Sequence, residues 1–316
     1  MSDTATDWQI GDAFDVEVGE IAHGGHCVAR HEGRVLFVRH TAPGERVTAR
    51  ITGIGKGGRF VQADAVHVLR QSADRVPAPC RYSGPGGCGG CDFQHLTLSA
   101  QRDLKTRVVH EQFRRLAGLD VSAELGERVC EPLPPPAPDL APGLGWRTRV
   151  EFAVDAGVPG LRRHRSREVV AVKDCLIAHP SLRVKEVLAE RYPGAQAVDV
   201  VGAASGTVAV QVPEHDDQEV SEQVRLPGGP GHFTLAARGF WQVHPAAAQR
   251  LVDLVMGMLE PRAGEHALDL YAGVGLFGAA LAEAVGSRGR VTAVESDPAA
   301  ARHARNNLAR WSQARS

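Results

Sequence analysis

The chain has 316 residues, a formal net charge of −1 and 43% hydrophobic residues, which is room for two or three domains with ordinary cores. The charge balance excludes a globally basic nucleic-acid binder, and no run approaches the roughly 18 apolar residues of a membrane span. The start, MSDTATDWQIGD, is polar and acidic, unlike a secretory signal, so a cytoplasmic protein without disulfides is expected.

From Phe14 to about Leu69 the sequence alternates apolar and polar residues in short stretches, FDVEVGEIA, RVLFV, RVTARITGI and RFVQADAVHVL. Turn signals at Gly24-Gly25, Pro43-Gly44 and Gly57-Gly58 separate them, and the pattern predicts a small antiparallel OB-like barrel. A Cys-, Gly- and Pro-rich segment follows at Asp74 to Gln94. Next comes a predicted helix from Leu98 to Ala117, with Leu104, Val108, Val109, Phe113 and Leu116 on one face. The proline-rich EPLPPPAPDLAPGLG marks a loop or boundary. Strands are then expected at TRVEFAV, REVVAV and GTVAVQV, with a helix near Leu182–Arg191, and the acidic run EHDDQEVSE reads as a solvated turn. After a helix from Pro245 to Leu259, the order HALDLYAGVG, LFGAALAEAV, RVTAVES, PAAARHARNNLARW is strand, helix, strand, helix. That is the opening of a doubly wound α/β sheet. The predicted domains are a barrel at 8–70, an α+β central domain at 71–232 and an incomplete Rossmann-like domain at 233–316.

Three motifs carry chemistry. Cys80, Cys88 and Cys91 form a C-x7-C-x2-C run in CRYSGPGGCGGC, with Cys175 distant in KDCLIAHP. Three close cysteines and one remote suit a [4Fe–4S] cluster. Structural zinc more often shows two CxxC pairs, and unliganded thiols are the remaining reading. Cys27 and Cys130 lack ligand spacing and read as apolar fillers. Second, LDLYAGVGLFG holds a G-x-G-x-x-G at Gly273, Gly275 and Gly278, with Glu295 ending the next strand. Such a turn serves dinucleotides as well as S-adenosylmethionine, and a purely structural turn is the remaining reading. Asp269, four residues before Gly273, favours the cationic amino-acid end of S-adenosylmethionine over a pyrophosphate, while Glu295 suits ribose hydroxyls in either case. Third, PGLRRHRSREVVAVK sets Arg162, Arg163, Arg165 and Arg167 around His164, with Arg147 and Arg149 upstream. Only Lys56, Lys105, Lys173 and Lys185 are lysines, a bias that a GC-rich genome accounts for. The arginine run reads either as a solvated face or as a phosphate-contacting RNA site.

Together these pieces resemble one family. Ala22–Arg30 with Gly44-Glu45-Arg46, SADRVPAPC and CGGCDFQHL resemble the TRAM-plus-cluster front of bacterial RNA uracil-C5 methyltransferases. LRRHRSREVVAVKDC resembles their central segment, FWQVHP (Phe240 to Pro245) their cofactor-site segment, and LDLYAGVGLF their glycine turn. The resemblance covers roughly residues 14 to 308 in order. It implies that Cys80, Cys88, Cys91 and Cys175 ligate a [4Fe–4S] cluster. It also implies that Gln242, Tyr271 and Glu295 contact S-adenosylmethionine, beside Asp269, Gly273 and Gly275. Leu276 stands at a cofactor position where the family commonly has asparagine, and His-Pro follows FWQV in place of the usual asparagine. Barrel and cluster together imply ribosomal rather than transfer RNA.

In the family a cysteine thiolate adds to C6 of uracil so that C5 can attack the methyl group, and a carboxylate base then removes the C5 proton; the target base is presented out of its stack. Those two residues lie on late strands, and nothing here corresponds to them. The expectation is therefore a C-terminally truncated methyltransferase that transfers no methyl group alone, with an unstable or dimerising C-terminal part whose two strands lack neighbours. The alternatives are a non-catalytic RNA-binding iron–sulfur protein and a zinc-bearing dinucleotide enzyme.

Overall fold

A computed structural model describes residues 8–58, 60–126, 129–212 and 218–316. They form two compact units, Met1–Pro132 with Arg162–Val170, and Leu133–Leu161 with Ala171–Ser316.

The first unit is built on a barrel of β1 (Ala13–Ala22), β2 (His26–His31), β3 (Arg34–Arg39), β4 (Arg46–Ile54) and β5 (Val61–Arg70), closed in the order β1-β2-β3-β5-β4. Strand alternation drives it. Val16, Val18, Leu36, Val38, Val47, Ala49, Ile51, Val61 and Ala63 are buried in its interior, and alternate side chains point to the outer face. Closure removes every free edge but one pairing is parallel, β3 with β5. The sequence pattern had not separated β2 as a strand; its alternation HCVARH is short and half polar. Buried Cys27 belongs to this core, as expected of an apolar filler, and burial pushes its thiol up to about 11.

The helix after the cysteine-rich loop is α1 (Leu98–Gln112), capped by Thr97, whose side chain accepts from the Ala100 amide. It widens into a π turn over Phe113–Ala117 before Gly118 stops it in the left-handed region. Leu104 packs on the barrel core, but Phe113 and Leu116 are exposed. The single apolar face expected for the whole helix therefore ends where the hydrogen-bond pattern changes register. A short α2 (Ser122–Leu125) follows.

In the second unit β6 (Arg149–Asp155) and β7 (Val158–Arg162) form a hairpin. The strand expected at REVVAV shrinks to β8 (Val169–Val170), in the arm that groups with the first unit. After α3 (Val184–Ala189), strands β9 (Ala197–Gly202) and β10 (Val208–Gln211) extend the sheet in the order β10-β9-β6. A separate hairpin pairs β11 (Glu219–Leu226) with β12 (Gly229–Ala236). The expected acidic turn lies partly outside the described residues, and its last part, Glu219 to Glu222, is instead the start of β11. Glu222 there is buried against Arg149 rather than solvated.

Helix α4 (Ala247–Leu259) leads to β13 (His266–Leu270), α5 (Leu276–Val285), β14 (Arg290–Val294) and α6 (Pro298–Leu308). β13 and β14 pair in parallel. A third strand, β15 (Ala314–Arg315), pairs with β14, which corrects the two-strand expectation: two residues of the terminal WSQARS are enough to add a rung. Leu268, Leu270 and Val294 remain exposed although parallel sheets ordinarily bury both faces. No helix among the described residues is long and apolar enough to cross a membrane.

Candidate functional site

Two sites can be built from these elements, one in each unit. In the second unit the chain leaves β13 through Tyr271 (φ 62°), Gly273 (φ 54°) and Gly275 (φ 90°) and enters α5. Left-handed backbone at Gly275 is open to glycine without strain. A Cβ there would also lie 3.2 Å from Leu308 of α6, so the turn packs closely on that helix. Two carboxylates fix the turn from beneath. Asp269 accepts the Gly278 amide at 2.8 Å, and Glu295 accepts the amides of Gly273 and Asp297, each at 2.8 Å. Their environments push them apart. Burial holds the Asp269 carboxyl above its usual range, whereas the Asp297 and Gly273 amides hold Glu295 below it. Tyr271 is 91% exposed on the turn.

A third clamp is Asn307 of α6, a residue that pattern reading passed over. Its Nδ2 donates to the Val274 carbonyl (2.9 Å) and the Thr234 carbonyl (3.0 Å), and its Oδ1 accepts the Thr234 amide (2.9 Å). Trp241 is buried in the same core cluster as Ala272, Val274 and Leu276, and its ring lies 5.7 Å from that of Phe233. Packing Trp241 inward leaves Phe240 exposed and Gln242 half-buried. Leu276 is buried in that cluster, so its side chain offers the turn packing and no polar contact.

In the first unit a cleft of about 460 Å³ separates the barrel face from the 84–87 loop and the 163–168 arm. Arg163 and Arg165 line it, opposite Arg39, Arg50, His26 and Phe37. Arg162 and Arg167 are exposed on the same arm but do not line the cleft. Arg163 pairs with Glu168 at 2.8 Å, and Arg39 with Asp92 at 2.6 Å. Burial, reinforced by the Arg165 and Arg39 charges, pushes His26 below the usual histidine range.

The cysteine loop borders this cleft. Cys88 takes the Gly90 amide on its Sγ at 3.3 Å, and its own amide donates to the Tyr82 carbonyl at 2.8 Å. Gly89 donates to Arg162 O, and a Cβ on Gly89 would lie 2.4 Å from the His164 nitrogen. Only glycine therefore lets the arm lie against the loop. Cys175 belongs to the second unit. Among the described residues no three His, Cys, Asp or Glu side chains are arranged to hold a metal ion.

Residues 7–73 match the TRAM domain. An uncharacterized RNA methyltransferase of Streptomyces coelicolor is 44% identical over 97% of this chain and 73% of its own length, and one of Streptomyces avermitilis is 42% identical over 97% and 77%. The 23S rRNA (uracil(1939)-C(5))-methyltransferase RlmD of Chromohalobacter salexigens is 31% identical over 98% of this chain and 71% of its own length. The chain belongs to the S-adenosylmethionine-dependent RNA uracil-C5 methyltransferase family. The fold agrees. A tRNA (uracil-54, C5)-methyltransferase of Pyrococcus abyssi, solved with S-adenosyl-L-homocysteine, superposes with a TM-score of 0.57 at 19% identity, over 95% of this chain and 79% of its own. A TRAM-domain barrel and a methyltransferase fold are thus both present. Relatives named for ribosomal RNA and a fold relative named for transfer RNA both match almost the whole chain.

Proposed function

We propose that this chain binds S-adenosylmethionine at the β13–α5 turn and RNA along the barrel cleft, in the service of 5-methyluridine formation in 23S rRNA in the cytoplasm. Its parts are a TRAM barrel at 8–70, a central domain at 71–232 and a cofactor-binding unit at 233–316. The observation that carries this reading is the pair of carboxylates at one glycine turn. Asp269 and Glu295 suit a ligand that is cationic at one end and bears ribose hydroxyls at the other, and Gly273 and Gly275 let its backbone come close. Tyr271 on that turn, and Gln242 beside the buried Trp241 in the chain, would complete the contact set. Bound there, the sulfonium supplies an electrophilic methyl group.

What the chain's own residues do is hold and orient. Residues 233–316 contain no cysteine, and the proposal assigns this chain no thiolate for uracil C6. The expected result is cofactor binding without turnover. S-adenosylhomocysteine should bind the purified 316-residue chain in calorimetry, while labelled methyl transfer to 23S rRNA stays at background. Heat-silent titration would remove the cofactor reading, and measurable incorporation would remove the proposed inactivity.

The thiols of Cys80, Cys88, Cys91 and Cys175 are proposed ligands of a [4Fe–4S] cluster. Their spacing and the amide directed at Cys88 Sγ suit a thiolate-held centre. The described side chains do not close into a ligand set, so no catalytic step is assigned to the cluster. Anaerobically purified protein should show broad visible absorbance that C88S abolishes; a colourless protein carrying zinc would overturn the cluster in favour of a zinc site.

For RNA, Arg162, Arg163, Arg165 and Arg167 supply phosphate contacts, with Arg163 and Arg165 inside the cleft. The R163A/R165A double variant should weaken binding to an rRNA fragment. It should also flatten the slope of log affinity against log salt by about 1–1.5, at roughly 0.7 per single-strand phosphate. An unchanged slope would place the RNA elsewhere.

A further inference from the structure

The arginine pair just upstream of the basic arm is not part of it. Arg149 points into the second unit with its side chain 10% exposed. Its Nη2 donates to Glu222 at 3.0 Å, and its Nη1 donates to the carbonyls of Ala237 (2.8 Å) and Gly239 (3.1 Å). Glu222 is itself buried and takes the Ala204 amide at 2.9 Å on its other oxygen. The neighbouring Thr148 holds the far end of the same stretch, donating through both its amide (2.8 Å) and its hydroxyl (3.0 Å) to the Val243 carbonyl. The five residues Gly239 to Val243 are therefore tied to the start of β6 at both ends, and Trp241 is pinned between them in the core. On the other side Asn307 bolts Thr234 of β12 to Val274 of the glycine turn.

These bonds form one continuous path: β6 to the Gly239–Val243 stretch, that stretch to the β11–β12 hairpin, and the hairpin to the glycine turn. A guanidinium is the group that can grip two carbonyls and a carboxylate at once. Burying it costs solvation, though less than for the more strongly hydrated ammonium of a lysine, and its three acceptors offset that cost. We propose that Arg149 and Asn307 are positioning residues of the cofactor site. They act through the β11–β12 hairpin to set the distance between Gln242 and the Gly273–Gly275 turn. The proposal rests on the assignment of that turn to S-adenosylmethionine.

The test uses R149K and N307D in the full 316-residue chain. R149K keeps the charge facing Glu222 but loses the fork, and N307D keeps the acceptor for the Thr234 amide but loses both donated bonds. A third variant, V187A, empties part of a separate core in the same unit and serves as a stability control. Calorimetry with S-adenosylhomocysteine should show at least a tenfold weakening in R149K and N307D, with V187A within twofold of the parent despite a comparable fall in Tm. Amide hydrogen exchange should accelerate at residues 239–243 in R149K and at 272–276 in N307D, and at neither in V187A. Affinities that track Tm across all three variants, or unchanged exchange at both segments, would overturn the proposal. If the parent itself binds no S-adenosylhomocysteine, the cofactor assignment and the positioning role toward that ligand fall together, and exchange rates then decide only whether Arg149 and Asn307 fix the two segments. If R149K does not fold, N307D alone decides, because Asn307 is only half-buried and its substitution removes no buried charge.

Discussion

The D269N variant of this chain should melt no lower than the parent at neutral pH and yet bind S-adenosylhomocysteine roughly tenfold to a hundredfold more weakly. Asp269 is buried, and that burial holds its carboxyl above the usual range, so ionising it in the folded chain carries a cost. Asparagine keeps an oxygen for the Gly278 amide and removes that cost. What it also removes is the negative partner for the cofactor's cationic end, and a hydrogen bond to a charged group contributes about 1.5–3 kcal/mol. The pH dependence has a definite sign. A carboxyl whose folded pKa is raised favours the folded state in its protonated form. That contribution is therefore greatest in acid and is lost as pH rises through the folded value. Cofactor affinity runs the other way, growing over the same window as the carboxylate ionises. Tm and calorimetric affinity measured across that window should change in opposite directions in the parent, and D269N should flatten both. Affinity in D269N equal to the parent's at every pH would show that Asp269 is only a helix-capping group.

The meeting of Asp269, Glu295 and the turn glycines at one turn was legible in sequence because their placement is local. A strand end, three glycines at fixed offsets and an acid at the next strand end all fall within one βαβ unit, and the chain geometry that joins them follows from the motif. The barrel was legible for the same reason, since period-2 alternation decides which side chains face inward. Arg149 and Asn307 were hidden for the opposite reason. Both act on carbonyls far away in sequence, Gly239 from Arg149 and Thr234 from Asn307, and a backbone acceptor leaves no residue-type signature at its own position. Glu222 misled twice over. It sits in an acidic run that reads as a solvated turn, and its partner sits beside an arginine run that reads as a nucleic-acid face. Charge runs are averages over a window, whereas a buried pair is made by two side chains that the strands turn inward. Phe113 and Leu116 failed differently. The helical period holds through Leu104 and Val108, and the π turn then rotates Phe113 and Leu116 away from the barrel.

The largest stability effect is expected in the barrel, at Glu45. This glutamate is fully buried, and Arg75 grips both of its oxygens, Nε to Oε1 at 2.6 Å and Nη2 to Oε2 at 2.7 Å, while the amides of Ser72 and Ala42 complete its shell. Burial alone would raise its carboxyl, but the Arg75 bonds and the two amides outweigh that and hold it below the usual range. E45A therefore leaves the Arg75 charge largely buried and without its carboxylate, at a cost of about 3–5 kcal/mol. E45Q, which keeps the shape and an acceptor, should cost clearly less. Replacing both partners, E45M/R75M, should cost less than the sum of the two single changes, because no uncompensated charge then remains. A carboxylate with a depressed folded pKa contributes stability that is present above its unfolded value, about 4.3, and is lost as pH falls through the folded value. The parent barrel should accordingly lose stability in acid more steeply than E45Q. Hydrogen exchange at the barrel amides of Val16, Val47 and Ile51, followed against pH, reads the effect directly at the strands that Glu45 anchors. The β1–β4 pairing places Val16 opposite Val47, and the Val18 amide donates to the Glu45 carbonyl at 2.8 Å, so loosening residue 45 should open that rung before the β2–β3 side of the barrel. Exchange in E45A that matches the parent at these amides would mean that the ion pair only decorates a barrel held by its apolar interior.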